Sequence, residues 1–342
     1  MLDDLTYIHR IDKAGALEIA ENEPDQLQQN FGFSADFGDI DNVVYAGMGG
    51  SALAASLSQT WPGYKVPFEI VRNYVLPNYV GEKTLCILSS YSGNTEETLS
   101  ALAQAESKRA KITIITGGGQ LMVAAKDKGY PLLVIPAAKQ PRYAVFYNLK
   151  GLVDIGRAAG VIKEDNPGML VSAADLLRSA QADWQPIKPT ANNLAKQIAL
   201  DCIGKSVVIY AGALLSPAAY KWKISFNENA KHIAWTGTYP EFNHNEFIGW
   251  SEQPVDKPYC VIDLRTDLEN PRTQKRFTLS DRLLSGLRPS PLVVSAKGSN
   301  ILEQLLYCVL LGDYVTIYTA IAGEIDPEPV DLVEKFKKLM TE

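Results

Sequence analysis

Histidine and cysteine are scarce in this chain, and it carries no excess of base. His9, His232 and His244 are the only histidines in 342 residues, which leaves no material for a histidine-rich metal centre. Carboxylate-only metal sites have no spacing signature either, so no metal is expected. The four cysteines, Cys86, Cys202, Cys260 and Cys308, are widely separated. They suggest neither a disulfide framework nor a zinc site, and Cys86 and Cys260 sit inside apolar strand patterns, as buried thiols do. Against 39 acids stand 33 lysines and arginines, a net charge of -6, so no nucleic-acid partner is expected. The opening Met1-Leu2-Asp3-Asp4 has acids where a secretory signal carries base, and no apolar run approaches the length that spans a bilayer. The expectation is a cytoplasmic protein without a membrane partner.

What is present fits a globular chain long enough for two domains, with 46% hydrophobic and 21% charged residues. The chain also repeats itself. Val43-Val44-Tyr45-Ala46-Gly47 is nearly copied by Val208-Ile209-Tyr210-Ala211-Gly212, and each run precedes an Ala-rich helical pattern. Thr84-Leu85-Cys86-Ile87-Leu88 then corresponds to Tyr259-Cys260-Val261-Ile262-Asp263, and Ile112-Thr113-Ile114-Ile115-Thr116 to Pro291-Leu292-Val293-Val294-Ser295. Continuous apolar strands separated by helices predict parallel sheets covered on both faces, in two homologous α/β domains. Further strands are predicted at 68–71 and 132–135, helices in the first thirty residues and at 169–182, and a closing amphipathic helix after Asp326-Pro327-Glu328-Pro329.

Two loops carry the chemistry of the first half. Ser89-Ser90-Tyr91-Ser92-Gly93-Asn94-Thr95 joins a strand to a helix, where unpaired N–H groups and a partial positive charge meet an anion. Such a loop also makes an ordinary turn and helix cap; four hydroxyls together tilt the reading toward binding. Gly47-Met48-Gly49-Gly50-Ser51-Ala52 formally fits a dinucleotide fingerprint, with Glu69 downstream for a ribose contact. A tight turn is the better reading of it alone, and two phosphate-friendly turns on adjacent strands suit a small phosphorylated ligand better than a pyrophosphate. No cofactor is expected. In the second half, Glu228 lies between Asn227 and Asn229, and His244 between Asn243 and Asn245. Polar, uncharged neighbours suit a carboxylate and an imidazole to proton transfer; from composition alone, a solvated helix face and a hydrogen-bonded turn are the better readings.

Gly47-Met48-Gly49-Gly50-Ser51, Ser90-Tyr91-Ser92-Gly93-Asn94-Thr95-Glu96-Glu97-Thr98, Pro141-Arg142, Asn227-Glu228-Asn229-Ala230-Lys231 and Asn243-His244-Asn245-Glu246 together resemble the bifunctional phosphoglucose/phosphomannose isomerase family of the sugar-isomerase (SIS) fold. The likeness continues through Gly312-Asp313-Tyr314 and Asp326-Pro327. It implies two flavodoxin-like SIS domains, 1–160 and 161–342, and a homodimer whose active sites lie between domains and subunits. It further implies Gly49, Gly50, Ser51, Ser90, Ser92 and Thr95 as phosphate and sugar contacts, and Arg142 as the stabiliser of the intermediate. Glu228 is implied as the proton-transfer base, His244 as the ring-opening residue reaching in from a partner subunit, and Thr316 as a substrate-side hydroxyl.

The implied reaction interconverts glucose 6-phosphate and mannose 6-phosphate with fructose 6-phosphate through an enediolate, without a metal. Some positions depart from the family pattern. Gly323 stands where the family has Lys or Arg, Glu324 where it has Gly, and Glu328 where threonine is frequent; Tyr143-Ala144-Val145-Phe146 is bulkier than usual. Losing that cation leaves three readings: a slow enzyme, one that borrows Lys337 or Lys335, or one with a changed substrate. The rival reading is a catalytically weak SIS protein that binds phosphosugars or regulates.

Overall fold

The computed structural model describes residues 1–164, 166–252 and 258–340. Among them, β1 (Asn42–Gly47), β2 (Phe68–Val71), β3 (Thr84–Ser90), β4 (Lys111–Thr116) and β5 (Leu132–Val134) form one parallel sheet in the order β2-β1-β3-β4-β5. The second sheet, β7-β6-β8-β9, consists of β6 (Ser206–Ala211), β7 (Ala234–Thr238), β8 (Tyr259–Arg265) and β9 (Leu292–Ser295), also parallel. The helices are α1 (Leu5–Ile11), α2 (Ala16–Asn22), α3 (Gly49–Thr60), α4 (Glu96–Ser107), α5 (Gly119–Lys128), α6 (Val145–Ala158), α7 (Gly168–Gln181), α8 (Leu194–Cys202), α9 (Ser216–Glu228), α10 (Glu246–Gly249), α11 (Pro271–Leu283), α12 (Ile301–Ala322) and α13 (Asp331–Met340). Two parallel sheets flanked by helices are the expected architecture, and the strand order of the second repeats four strands of the first.

Pairing shifts the repeat by one residue at its most similar point. Val44 lies beside Cys86, and Val208 beside Val261, so Val208 is the partner of Val44 and not of Val43. Side chains alternate along a strand, so the slip exchanges faces. Tyr210 packs on one face with Val208 and Val261, where Ala46 packs with Val44 and Cys86 in the first sheet. The likeness of the two Tyr-Ala-Gly triplets therefore hides opposite directions for Tyr45 and Tyr210. β7, which contains Gly237 and is partly exposed, is not among the predicted strands, although its counterpart β2 is.

The chain does not divide at residue 160. One compact unit is Asn22–Asp175; the other joins Met1–Glu21 to Leu176–Glu342. Side chains explain the return of the first residues. The Asp3 carboxylate accepts bonds from the Thr190 N–H and hydroxyl, both at 2.8 Å, and from Lys196 Nζ at 3.1 Å, and the Thr190 hydroxyl bond holds its pKa below the usual value. Tyr7 donates to the Ile321 carbonyl, and Gln181 to that of Glu21.

In the first unit α4 lays Ala101, Leu102 and Ala105 on Cys86, Leu88 and Ile114. In the second, α12 is central. Its 22 residues, of mean hydropathy 1.6 in their apolar window, are long and apolar enough to cross a bilayer, contrary to the sequence expectation; Glu303, Gln304 and Asp313 interrupt the run. That window is 94% buried, and α12 packs on α8 and α9 as a core helix. All four cysteines are buried thiols, with the sulfurs of Cys202 and Cys260 brought to 3.6 Å. Burial pushes the Cys86 and Cys308 thiols up to about 12, which makes them unreactive.

Candidate active site

In the first unit the residues singled out from sequence converge at the carboxyl ends of β1 and β3, the edge of a parallel sheet where ligands bind. β1 ends at Gly47, and α3 begins at Gly49 with φ of +49°, a left-handed conformation that suits glycine. Gly50 has a different reason to lack a side chain. A Cβ there would lie 2.8 Å from the Pro141 carbonyl and 3.1 Å from the Arg142 N, so the Pro141–Tyr143 turn closes directly on the glycine loop. The Arg142 guanidinium is buried at 1% exposure, 4.7 Å from the centre of the Tyr143 ring. The bulk of Tyr143-Ala144-Val145-Phe146 goes into the core, since all four are buried.

The hydroxyl loop is tied to the glycine loop and to itself. The Tyr91 N–H donates to Ser51 Oγ at 3.3 Å, and the Tyr45 hydroxyl donates to the Ser51 carbonyl at 2.6 Å. Ser90 Oγ lies 2.7 Å from Thr95 Oγ1 and 3.4 Å from Ser92 Oγ, and it accepts from the Gly93 N–H. Gly93, at φ +70°, passes so close to Gly118 that any Cβ would clash with its carbonyl. Thr95 occupies the cap position of α4, yet its side chain makes no capping bond. The first turn of α4 therefore has no cap from Thr95, and it lies next to the exposed Ser92 and partly exposed Thr95, with Ser51 and Ser90 buried beneath. Glu69 lies mid-strand and accepts from the Tyr79 hydroxyl at 2.6 Å.

In the second unit Glu228 is the last residue of α9 and is partly exposed. Around it, Lys221 and Ser225 of α9 and its C-cap residue Asn229 form a row of polar groups one helical turn apart, all fully buried. Lys221 is paired with Asp313 of α12 and donates to Ser225 Oγ at 2.7 Å; Ser225 Oγ donates to Asp313 Oδ1 at 2.9 Å. Asn229 Nδ2 donates to Thr316 Oγ1 at 3.0 Å, and Thr316 to the Gly312 carbonyl at 2.9 Å. Thr316, expected at the substrate, is therefore fully buried as a support of Asn229. Sequence reading missed Lys221 and Ser225; their signal was the four-residue spacing that leads up to Asn229.

His244 stands exposed at the end of a short turn, Glu241–His244, anchored by buried Phe242. Its flanking asparagines build that turn. Asn243 donates to Ser280 at 2.9 Å, and Asn245 donates to Glu241 at 2.6 Å while accepting from the Glu246 N–H.

The departures at the end of α12 have structural counterparts. Glu324, where the family has Gly, holds a left-handed φ of +58°. At the Asp326–Pro327 turn a cation stands from elsewhere in the chain: Lys231 donates to the carbonyls of Asp326 at 2.8 Å and Pro327 at 3.2 Å. Lys337 pairs with Glu334 at 2.7 Å on exposed α13.

Residues 191–340 match the bacterial phospho-glucose isomerase C-terminal SIS domain. A bifunctional phosphoglucose/phosphomannose isomerase of Caldicellulosiruptor bescii is 33% identical over 336 residues, 95% of this chain and 98% of the relative. A D-glucosamine-6-phosphate 4-epimerase of Sulfolobus acidocaldarius is 33% identical over 66% of this chain and 71% of its own. Among solved structures, a glucose-6-phosphate isomerase like protein from Thermus thermophilus superposes with a TM-score of 0.67 at 18% identity, over 98% of both chains, which shows the shared fold. By sequence, over nearly its whole length, the chain belongs to the bifunctional phosphoglucose/phosphomannose isomerase family.

Proposed function

We propose that this chain is an aldose–ketose isomerase that interconverts glucose 6-phosphate and mannose 6-phosphate with fructose 6-phosphate. The observation that carries the reading is the gathering of Ser51, Ser90, Ser92 and Thr95 at one sheet edge, beside the uncapped start of α4 and against the Pro141–Arg142 turn. This edge suits a phosphate dianion. Isomerisation moves a proton between C2 and C1 and builds charge on an enediolate oxygen, which calls for a carboxylate base and a cation. Glu228 takes the first role and Arg142 the second; His244 opens the ring, and a protein cation rather than a metal ion meets the oxyanion. The two aldose phosphates differ at C2 alone, so loss of that proton makes one intermediate from both.

A homodimer accompanies this reading. Leu332, Phe336 and Leu339 form an exposed apolar stripe on α13, a helix with no buried residue, and His244 is exposed as a residue lent to another chain would be. Mixing His244→Ala chains with Glu228→Ala chains is expected to restore activity; no recovery after subunit exchange would place both residues in one chain's site.

The test of function is a coupled assay on both aldose phosphates, with Glu228→Gln beside the native chain. Glu228→Gln keeps the shape and loses the basic oxygen, so kcat on both should fall in parallel by about 10²-fold or more. Activity on one aldose in that variant would reveal a second base. Glucosamine 6-phosphate belongs in the same assay, because the similar epimerase bears on that substrate; turnover of it alone would favour epimerisation over isomerisation.

A further inference from the structure

The crossing from β3 to α4 has a counterpart in the second unit. β3 and β8 are both seven residues long, and the caps of the helices that follow, Thr95 and Asn270, come at the same distance. Tyr91-Ser92-Gly93-Asn94 therefore aligns without a gap on Thr266-Asp267-Leu268-Glu269. The pockets they border are chemically unlike. The Thr95 hydroxyl turns to Ser90 and leaves α4 uncapped, whereas Asn270 Oδ1 accepts from the Arg272 N–H at 2.8 Å and Pro271 brings no N–H. Asn94 directs its side-chain oxygen to the Gln120 N–H at 3.0 Å and is exposed. Glu269, in the same position, is 7% exposed, and its carboxylate reaches the loop that follows β6.

There the carboxylate is held as a bound anion is held. The Leu214 N–H donates to Oε2 and the Asn270 N–H to Oε1, both at 3.1 Å. Gly212, the first residue after β6, makes room for it: a Cβ there would stand 2.1 Å from Oε2. The cavity alongside, about 460 Å³, lies at the carboxyl ends of β6, β8 and β9, where the hydroxyl loop lies in the first sheet. Asp267, where the first unit has Ser92, adds a second negative charge and accepts from Gln304 Nε2 at 2.7 Å.

We propose that the second unit keeps the anion cradle of the repeat and that the chain fills it with its own carboxylate, Glu269. The comparison rests on reading the hydroxyl loop of the first unit as a phosphate cradle. Each chain then binds one phosphorylated ligand, and removal of the internal carboxylate exposes a second site for a small oxyanion such as phosphate or acetate. Nothing covalent is involved; an internal ligand at high effective concentration excludes an external one.

Equilibrium dialysis with inorganic phosphate at constant ionic strength tests this. The native chain should bind one phosphate, and Asp267→Ser/Glu269→Ala, which gives the second loop the character of the first, should bind two. Equal stoichiometry in the two proteins, or two sites in the native chain, overturns the proposal. None in the native chain and one in the variant upholds it while refuting the phosphate reading of the first unit. Should the double variant fold poorly, thermal unfolding of Glu269→Ala in acetate and in chloride decides. Acetate restores the missing carboxylate and should raise the midpoint of Glu269→Ala above any shift it gives the native chain; equal shifts overturn the proposal.

Discussion

The polar groups of the two units are spent differently. In the first they are neutral hydroxyls and backbone amides at the open edge of a sheet, joined by local bonds from Ser90 to Ser92, Thr95 and Gly93. In the second they are charged and sealed between two helices, Lys221 against Asp313 with Ser225 between them, at 1% exposure or less. The proposed phosphate cradle must exchange water for ligand and back, and uncharged donors make that exchange nearly neutral. The helix end proposed to carry the base needs a fixed position, and a buried ion pair with shared hydrogen bonds fixes one at the cost of desolvation. The same fold, repeated, thus supplies a receptive surface once and a rigid support once.

The contrast predicts unequal responses to substitution. Lys221→Met should be the most damaging, because it leaves Asp313, whose Oδ2 already lacks a hydrogen-bond partner among the described residues, as an uncompensated buried charge. Loss of about 3–5 kcal/mol in urea unfolding is expected. Lys221→Met/Asp313→Leu, which removes both charges, should regain most of that stability; if it is no better than the single variant, packing rather than charge dominates. In the first unit, Ser92→Ala or Thr95→Ala should leave stability near native and weaken phosphosugar binding by about 1–3 kcal/mol, read as a rise in Kd. Unchanged Kd in both would remove the loop from the site.

The smallest effect belongs to His232, in neither group. Burial lowers its pKa, and its Nδ1 is buried without a hydrogen-bond partner among the described residues. With a folded value below the unfolded one, the unfolded chain binds the extra proton first. His232 thus adds stability above the unfolded pKa of about 6.5. That stability is lost as pH falls below it, so His232→Gln should flatten the decline in unfolding midpoint on the acid side of neutrality. An unchanged slope would assign it to the carboxylates.

The strands and the hydroxyl loop were legible because each obeys a local rule: apolar runs make buried parallel strands, and glycines and hydroxyls make strand-to-helix turns. The resemblance brought Arg142, Glu228 and His244 together on paper, while the structure shows each on its own element. The supports of Glu228 were not legible. Lys221 and Ser225 read as ordinary polar positions on a helix, and Asp313 as part of the family likeness with no role attached, until α9 and α12 are packed together. The register of β6 was obscured by the very likeness that revealed the repeat, since the Tyr-Ala-Gly match outweighed a slip that only strand pairing corrects. The pocket under Gly212 was equally silent, because Glu269 is one acid among 39 in the sequence.

The division of the chain also sets an order in time. Residues 1–21 leave the ribosome before the rest of both units, but Thr190, Lys196 and Ile321, to which Asp3 and Tyr7 are bonded, follow about 170 to 320 residues later. At the elongation rates of cells that is an interval of roughly 10 s or more. The first unit has all of its residues before then and is free to fold, while buried Leu2, Ile8, Ala16 and Leu17 wait without their partners. A nascent chain halted between the two units should therefore show a protease-resistant first sheet and a digestible leading segment, and this segment is where a holding chaperone has the longest access.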